Sequence, residues 1–337
     1  MKAAVWTGPG RIETRQVPDP AMDDGEVRVR LRAAGFCGTD VHIISGELKV
    51  ASPPLILGHE FAGEVVEVGS RVRGVRVGTR AAVDSYLNCG RCEPCARGRK
   101  HICKSVTEYG VDRDGGWAEY VVVKPDQIHA LPENVSYEEA AAMCVLNCPL
   151  ASVRKVGIEL GESVLILGDG PASLVFCQLV KLRGAGRVVL TGHHEHRLDL
   201  ARRLGADHVL NTLGTHLEAA ARDLLPGGPQ VVIDAVGSEE TLQAALSLVR
   251  SDGRICLFGV PVRPLQVPLV HMVYKTLTMV SATGAPDLWE VGNSLVARGL
   301  VQLKPLITHT FPLERAMDAY ELVRGRADRV IKVVFVM

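Results

Sequence analysis

The sequence predicts an α/β protein in which a β-rich domain is joined to a doubly wound parallel sheet. Three observations predict it. At 337 residues the chain exceeds the usual reach of one hydrophobic core. Roughly the first 135 residues carry short alternating stretches divided by Gly, Pro and Asp turns. From Ser163 onward apolar strand-like runs alternate with helix-like ones, which is the rhythm of parallel βα units.

Taken in order, Glu26–Leu31, Gly63–Val68 and Ala118–Val123 alternate as half-buried strands do. Ser136 offers an N-cap with Glu139 three residues on, opening an Ala-rich helix. Then come strand Val164–Leu167, helix Ser173–Leu182, strand Arg187–Thr191, and helix Arg197–Leu204 closed by Gly205. Strand Val231–Val236, helix Glu239–Val249 and strand Arg254–Val260 continue the series. Beyond Pro286 two helical pieces, Leu288–Arg298 and Leu313–Val323, precede the apolar strand Val330–Val336, expected to return to the first domain. The expected division is 1–147, completed by 286–337, and 148–285.

Composition narrows the function classes. Lys plus Arg equals Asp plus Glu at 38 each, without the basic excess of a nucleic-acid binder. No apolar run approaches the ~18 residues that span a bilayer. The N-terminal stretch lacks a secretory apolar segment, so the expected location is the cytosol. There, nine cysteines suggest metal ligands or buried thiols ahead of disulfides.

Cys89, Cys92, Cys95 and Cys103 are spaced Cys-x2-Cys-x2-Cys-x7-Cys in a stretch without core patterning. Four thiolates on one short loop suit a closed, structural zinc site. Spacing alone also admits an iron–sulfur cluster. A zinc ribbon for nucleic acid conflicts with the neutral charge.

A second concentration of chemistry is Phe36-Cys37-Gly38-Thr39-Asp40-Val41-His42, followed by Gly58-His59-Glu60. A catalytic zinc needs three protein ligands and one open position, and Cys with His supplies them. The longer pattern Gly58-His59-Glu60-x2-Gly63-x5-Gly69-x2-Val72 resembles the zinc-containing medium-chain dehydrogenase/reductase family, which includes alcohol, polyol and threonine dehydrogenases. The resemblance covers essentially the whole chain. It implies a GroES-like catalytic domain joined to a Rossmann domain, and two zinc ions per chain, one catalytic and one structural.

By that resemblance Cys37 and His59 ligate the catalytic zinc, and Glu60 is a neighbouring or exchangeable ligand. The third ligand stands about one helix ahead of the first Rossmann strand. Cys144 fits that spacing, and Cys148 falls one helical turn later. The polyol branch commonly has Glu there, but no carboxylate lies between Glu139 and Glu159, so the site resembles the Cys/His/Cys alcohol branch. The resemblance also implies a proton relay opened by the Thr39 hydroxyl and ended by His42. Asp40 is expected to fix His59 from behind.

The run Val164-Leu165-Ile166-Leu167-Gly168-Asp169-Gly170-Pro171-Ala172-Ser173 reads as strand, glycine turn and helix start. Gly168 permits the tight turn, and Gly170 lets amides approach a pyrophosphate at the helix N-terminus. Ser173 stands at the third glycine position, small enough for close packing. The second strand ends at Gly192, without the acidic residue that reads the ribose 2′-hydroxyl of NAD. His193, His194 and Arg197 follow, so NAD(P) is expected with a lean to NADP. Family analogy adds Val236, Gly237, Gly259 and Val260 to the cofactor site, and Lys332 near the pyrophosphate.

The expected activity is hydride transfer between NAD(P) and an alcohol or its carbonyl compound, foremost a small secondary alcohol or polyol. A threonine-type amino-alcohol dehydrogenase is the alternative, with Glu47 in the segment where an ammonium-binding carboxylate is needed. A non-catalytic binding protein on the same scaffold would usually lack zinc ligands, whereas both sets are present. No nucleic acid or membrane partner is expected. A homo-oligomer, dimer or tetramer, is.

Overall fold

The computed structural model describes residues 1–337 except 262, 283, 285, 286 and 326–328. The chain divides into two compact units. One comprises Met1–Cys144, Pro286–Ala297 and Leu303–Met337, and the other Val145–Ala285 and Arg298–Gln302. The change at residue 144 falls within the helix Met143–Val156, where the sequence reading sets 147/148. The second expected boundary, 285/286, lies outside the described residues.

The first unit rests on a seven-stranded sheet. Its order is Ile128–Ala130, Arg80–Val83, Phe61–Val68, Val27–Phe36, Lys332–Val336 and Ile307–Pro312, with Tyr120–Val123 also paired to Val27–Phe36. In Val27–Phe36, buried Val27, Val29 and Leu31 alternate with more exposed arginines, as a half-buried strand requires. The strand then runs beyond the expected Leu31. Ala33-Ala34-Gly35-Phe36 is buried throughout, so the alternation stops while the strand does not. Lys332–Val336 pairs antiparallel to it, with Val333 opposite Phe36, as the expected return of the tail requires. Trp117 sits in this core with ring centroids 5.0 Å from both Phe36 and Phe335. Burying each such side chain contributes about 1.5–3 kcal/mol.

The second unit holds a six-stranded parallel sheet. Its order is His208–Asn211, Arg187–Gly192, Ser163–Leu167, Val231–Asp234, Arg254–Leu257, Thr278–Ser281. Counted along the chain this is 3-2-1-4-5-6, the dinucleotide-binding order, whose switch point lies between the first and fourth strands. Val164 to Leu167 are all fully buried, because helices cover both faces of such a sheet. The helix after the first strand starts at Pro171, two residues earlier than expected, with Pro filling a first-turn position that needs no amide donor. The fourth strand stops at Asp234 and not at Val236, since Asp234 Oδ1 accepts from the amides of Val236 and Gly237 at 3.0 Å each and turns the chain. Among the described residues no helix is long and apolar enough to cross a membrane.

Candidate active site

The strand Val27–Phe36 delivers Cys37 to the N-cap of the helix Gly38–Ser45. Asp40, wholly buried at N3, turns back so that its Oδ2 accepts from the Cys37 amide at 2.8 Å. The same carboxylate presents Oδ1 to His59 Nδ1 at 3.2 Å, an ion-pair contact short of a well-aligned hydrogen bond. With Nδ1 turned to Asp40, Nε2 is the nitrogen offered to an ion. His59 itself follows Gly58, whose φ of +90° and contact with Trp117 leave no room for a side chain.

The donor atoms of Cys37, His59 and Glu60 lie within 4.8 Å of one another. Burial alone would lower the His59 pKa, but the charges of Asp40 and Cys37 outweigh it and raise it well above the usual imidazole range. The site therefore stabilises positive charge, which is the property a cation-binding donor set requires. Thiolate, imidazole and carboxylate together fit zinc.

Glu60 is held by Lys332, whose ammonium donates to Glu60 Oε2 and, at 3.0 Å, to the Phe36 carbonyl. Lys332 is 3% exposed. Burial pulls its pKa down, but the charges of Glu60, Cys37 and Cys144 overcome this and raise it. Expected near a pyrophosphate, Lys332 is thus found as the counter-ion of Glu60, a pairing the sequence reading missed. Cys144, in the first turn of Met143–Val156, acts on the same ammonium. The donors that lie within 4.8 Å of one another are those of Cys37, His59 and Glu60. Cys148 belongs to the other unit.

The Thr39 Oγ1 lies 3.7 Å from the Cys37 sulfur. His42, three residues on, is on the same helical face and partly exposed. Its Nδ1 is 2.6 Å from Glu47 Oε2. A carboxylate only accepts, so Nδ1 carries the proton and Nε2 is left to exchange with solvent.

The sulfurs of Cys89, Cys92, Cys95 and Cys103 also lie within 4.8 Å of one another. Amides of Cys95 and Lys104 lower the Cys92 pKa to about 6 and those of Cys89 and Ser105 lower that of Cys103, whereas burial pushes the Cys95 thiol up to about 12. Backbone donors aimed at clustered thiolates suit a closed metal site.

In the second unit Gly168, at φ +106°, makes the turn after the first strand. Space lies open before Gly170, the N-cap of Pro171–Leu182, where a Cβ would meet nothing within 4 Å. Ala172 lies in the first turn of that helix. Ser173, 1% exposed, has a hydroxyl without a hydrogen-bond partner, and it fills the volume behind Gly168. Gly237 and Gly259 pack backbone to backbone, since a Cβ on Gly237 would lie 2.6 Å from the Gly259 carbonyl carbon. Val236 and Val260 are exposed. An open helix N-terminus, close-packed glycines and exposed apolar side chains at the strand ends fit a dinucleotide.

The cluster beside Gly192 differs from expectation. Asp169, inside the glycine turn, accepts from the amides of His193 and His194 at 2.8 and 2.9 Å. It also meets His194 Nδ1 at 3.0 Å and Arg197 Nη1 at 3.4 Å. The positive side chains after the second strand are therefore tied to a carboxylate. A charged residue between two turn glycines was the signal for it.

Residues 23–133 match the alcohol dehydrogenase GroES-like domain, and residues 172–297 match the zinc-binding dehydrogenase domain. The L-threonine 3-dehydrogenase of Saccharopolyspora erythraea is 34% identical, with 98% of each chain covered. A zinc-binding dehydrogenase of Sinorhizobium meliloti 1021, bound to NADP, superimposes with a TM-score of 0.94 at 32% identity over 100% of this chain and 99% of that one. An alcohol dehydrogenase of Escherichia coli CFT073, complexed with NADH, gives 0.93 at 30% identity with the same coverage. The chain belongs to the zinc-containing medium-chain dehydrogenase/reductase family and is an oxidoreductase that passes a hydride between an alcohol and a nicotinamide cofactor.

Proposed function

We propose that the substrate is a small secondary alcohol or polyol, oxidised at the Cys37–His59 site. The observation that carries this is the buried donor set Cys37, His59 and Glu60 with the Thr39 hydroxyl beside the Cys37 sulfur. Cys37, His59 and Glu60 would hold a zinc ion there, whose chemistry would be to acidify an alcohol and polarise a carbonyl. The chain's own groups do the rest. Thr39 accepts the alcohol proton, and His42, oriented by Glu47, passes it to solvent. Asp40 fixes the His59 ring, and Lys332 neutralises and holds Glu60. Cys144 is our candidate for a further ligand, on its electrostatic reach to Lys332. We assign a second, structural zinc to the four-cysteine loop and the division of labour to 1–147 with 286–337 and 148–285. We also propose a homo-oligomer in the cytosol, where reducing conditions keep thiolates available to metal.

A threonine-type substrate is favoured by one observation, the L-threonine 3-dehydrogenase relative matched over nearly the whole chain. An amino alcohol carries an ammonium, and Glu47, 60% exposed beside His42, is the carboxylate placed to meet it. Secondary alcohols, polyols and amino alcohols assayed with NAD and NADP separate the readings. Turnover of uncharged alcohols above that of threonine supports the first, and the reverse order overturns it.

A further inference from the structure

We propose that Asp169 selects the cofactor at its 2′ position and selects for the free hydroxyl, so that the enzyme prefers NAD. The inference rests on reading the Gly168–Ser173 turn as the dinucleotide site. In such folds a carboxylate at the end of the second strand reads the ribose 2′-hydroxyl and repels a 2′-phosphate. Here that strand ends at Gly192. A Cβ added to Gly192 would lie 2.4 Å from the Asp169 Cβ and 2.5 Å from its Oδ2. The Asp169 side chain thus stands in the volume a side chain at 192 would take. The missing carboxylate is supplied from the neighbouring turn, and glycine at 192 is what admits it.

The carboxylate is fixed and charged. Two amides and the His194 ring converge on Oδ2, which leaves Oδ1 with the longer contacts of Arg197 at 3.4 Å and His194 at 3.3 Å. An ionised oxygen with such contacts retains capacity to accept a ribose hydroxyl. Burial would favour the neutral acid, yet the His194 and His193 amides, the His194 ring and Arg197 hold the pKa below the usual carboxylate value. Arg197, which would otherwise pair with a 2′-phosphate, is committed to Asp169. A 2′-phosphate arriving here meets a fixed negative charge and a guanidinium already paired.

The test compares kcat/KM for NAD and NADP, with one alcohol, in the wild type, Asp169→Asn and Asp169→Asn/Arg197→Gln. The wild type should favour NAD. Asp169→Asn should move the NADP-to-NAD ratio about tenfold or more toward NADP by removing the repulsion and releasing Arg197. Adding Arg197→Gln should take back most of that gain. Asp169→Ser, whose hydroxyl can still accept from an amide, repeats the test if the asparagine form does not fold. A wild type that favours NADP overturns the inference. So does an Asp169 variant that binds both cofactors with an unchanged ratio, or that loses both equally, as a purely structural role would produce. If titration with NADH and NADPH shows that the wild type binds neither, the dinucleotide reading itself fails, which is a distinct result.

Discussion

Single side chains set the chemistry, and each is held by one neighbour that can be removed. Asp40 caps the Cys37 helix and orients His59 with one carboxylate. The Thr39 Oγ1 stands 3.7 Å from the Cys37 sulfur, and Thr39→Val removes that hydroxyl while keeping the side chain's shape. Turnover should fall about 10²-fold, the scale of lost general acid–base assistance, while metal analysis shows unchanged zinc. Near-normal turnover would remove Thr39 from the mechanism. Cys144→Ala should cost turnover and about one zinc per chain if that thiol ligates, and Cys148→Ala should cost neither. The reverse pattern moves the ligand by one turn of the helix.

Residue types and spacing made Cys37, His59, Glu60 and the four-cysteine loop legible, because metal chemistry admits few donor types. Two pairings were not legible as pairings, although the charged Asp169 between two turn glycines hinted at the second. Lys332 meets Glu60 only because the last strand pairs with Val27–Phe36, and Asp169 meets Arg197 only because two strands lie side by side. Contacts between distant segments leave no trace in local pattern.

At the scale of elements, the sequence marks those with one buried face. The Ser136 cap forms as read, with its Oγ accepting from the Glu139 amide at 3.2 Å and the Glu139 carboxylate returning to the Ser136 amide. Edge strands such as His208–Asn211 and Thr278–Ser281 escaped notice, being short and only partly buried. The sulfurs of Cys89, Cys92, Cys95 and Cys103 cluster within 4.8 Å of one another, and the proposed zinc there would hold the loop. Cys103→Ser should lower zinc content and melting temperature together, and retention of both would refute the structural site.

The strand Ile128–Ala130 is tied to the helix Trp289–Ala297 by His129 stacked on Trp289, ring centroids 4.8 Å apart and planes 6° from parallel. Burial pushes the His129 pKa down to about 4. A depressed folded-state pKa means stability present above pH ~6.5 and lost as pH falls through about 4. The loss is at most about 3 kcal/mol. His129→Phe keeps the stack without the titration, so its unfolding free energy should fall less between those pH values, measured by denaturant titration. An identical pH slope would exclude His129 as the source.

The whole molecule comprises a β-rich unit that carries the two candidate metal sites and a unit built on a parallel sheet that carries the candidate dinucleotide turn. Composition and rhythm gave that architecture away, because short turn-divided strands and alternating strand and helix runs mark two different classes of domain. Substrate identity had no such signature, since a pocket is lined by scattered side chains. If the molecule is a homo-oligomer, light scattering should report a dimer or tetramer, and a monomer at working concentration would end that proposal.

The central claim is that alcohol oxidation depends on metal held at Cys37 and His59. The most direct measurement is zinc per chain and alcohol-dependent reduction of NAD, taken on the same preparations of wild type and Cys37→Ser. The account predicts two zinc ions and turnover in the wild type, and one zinc, an intact fold and no turnover in the variant. A Cys37→Ser enzyme that keeps both zinc ions and normal turnover would contradict it.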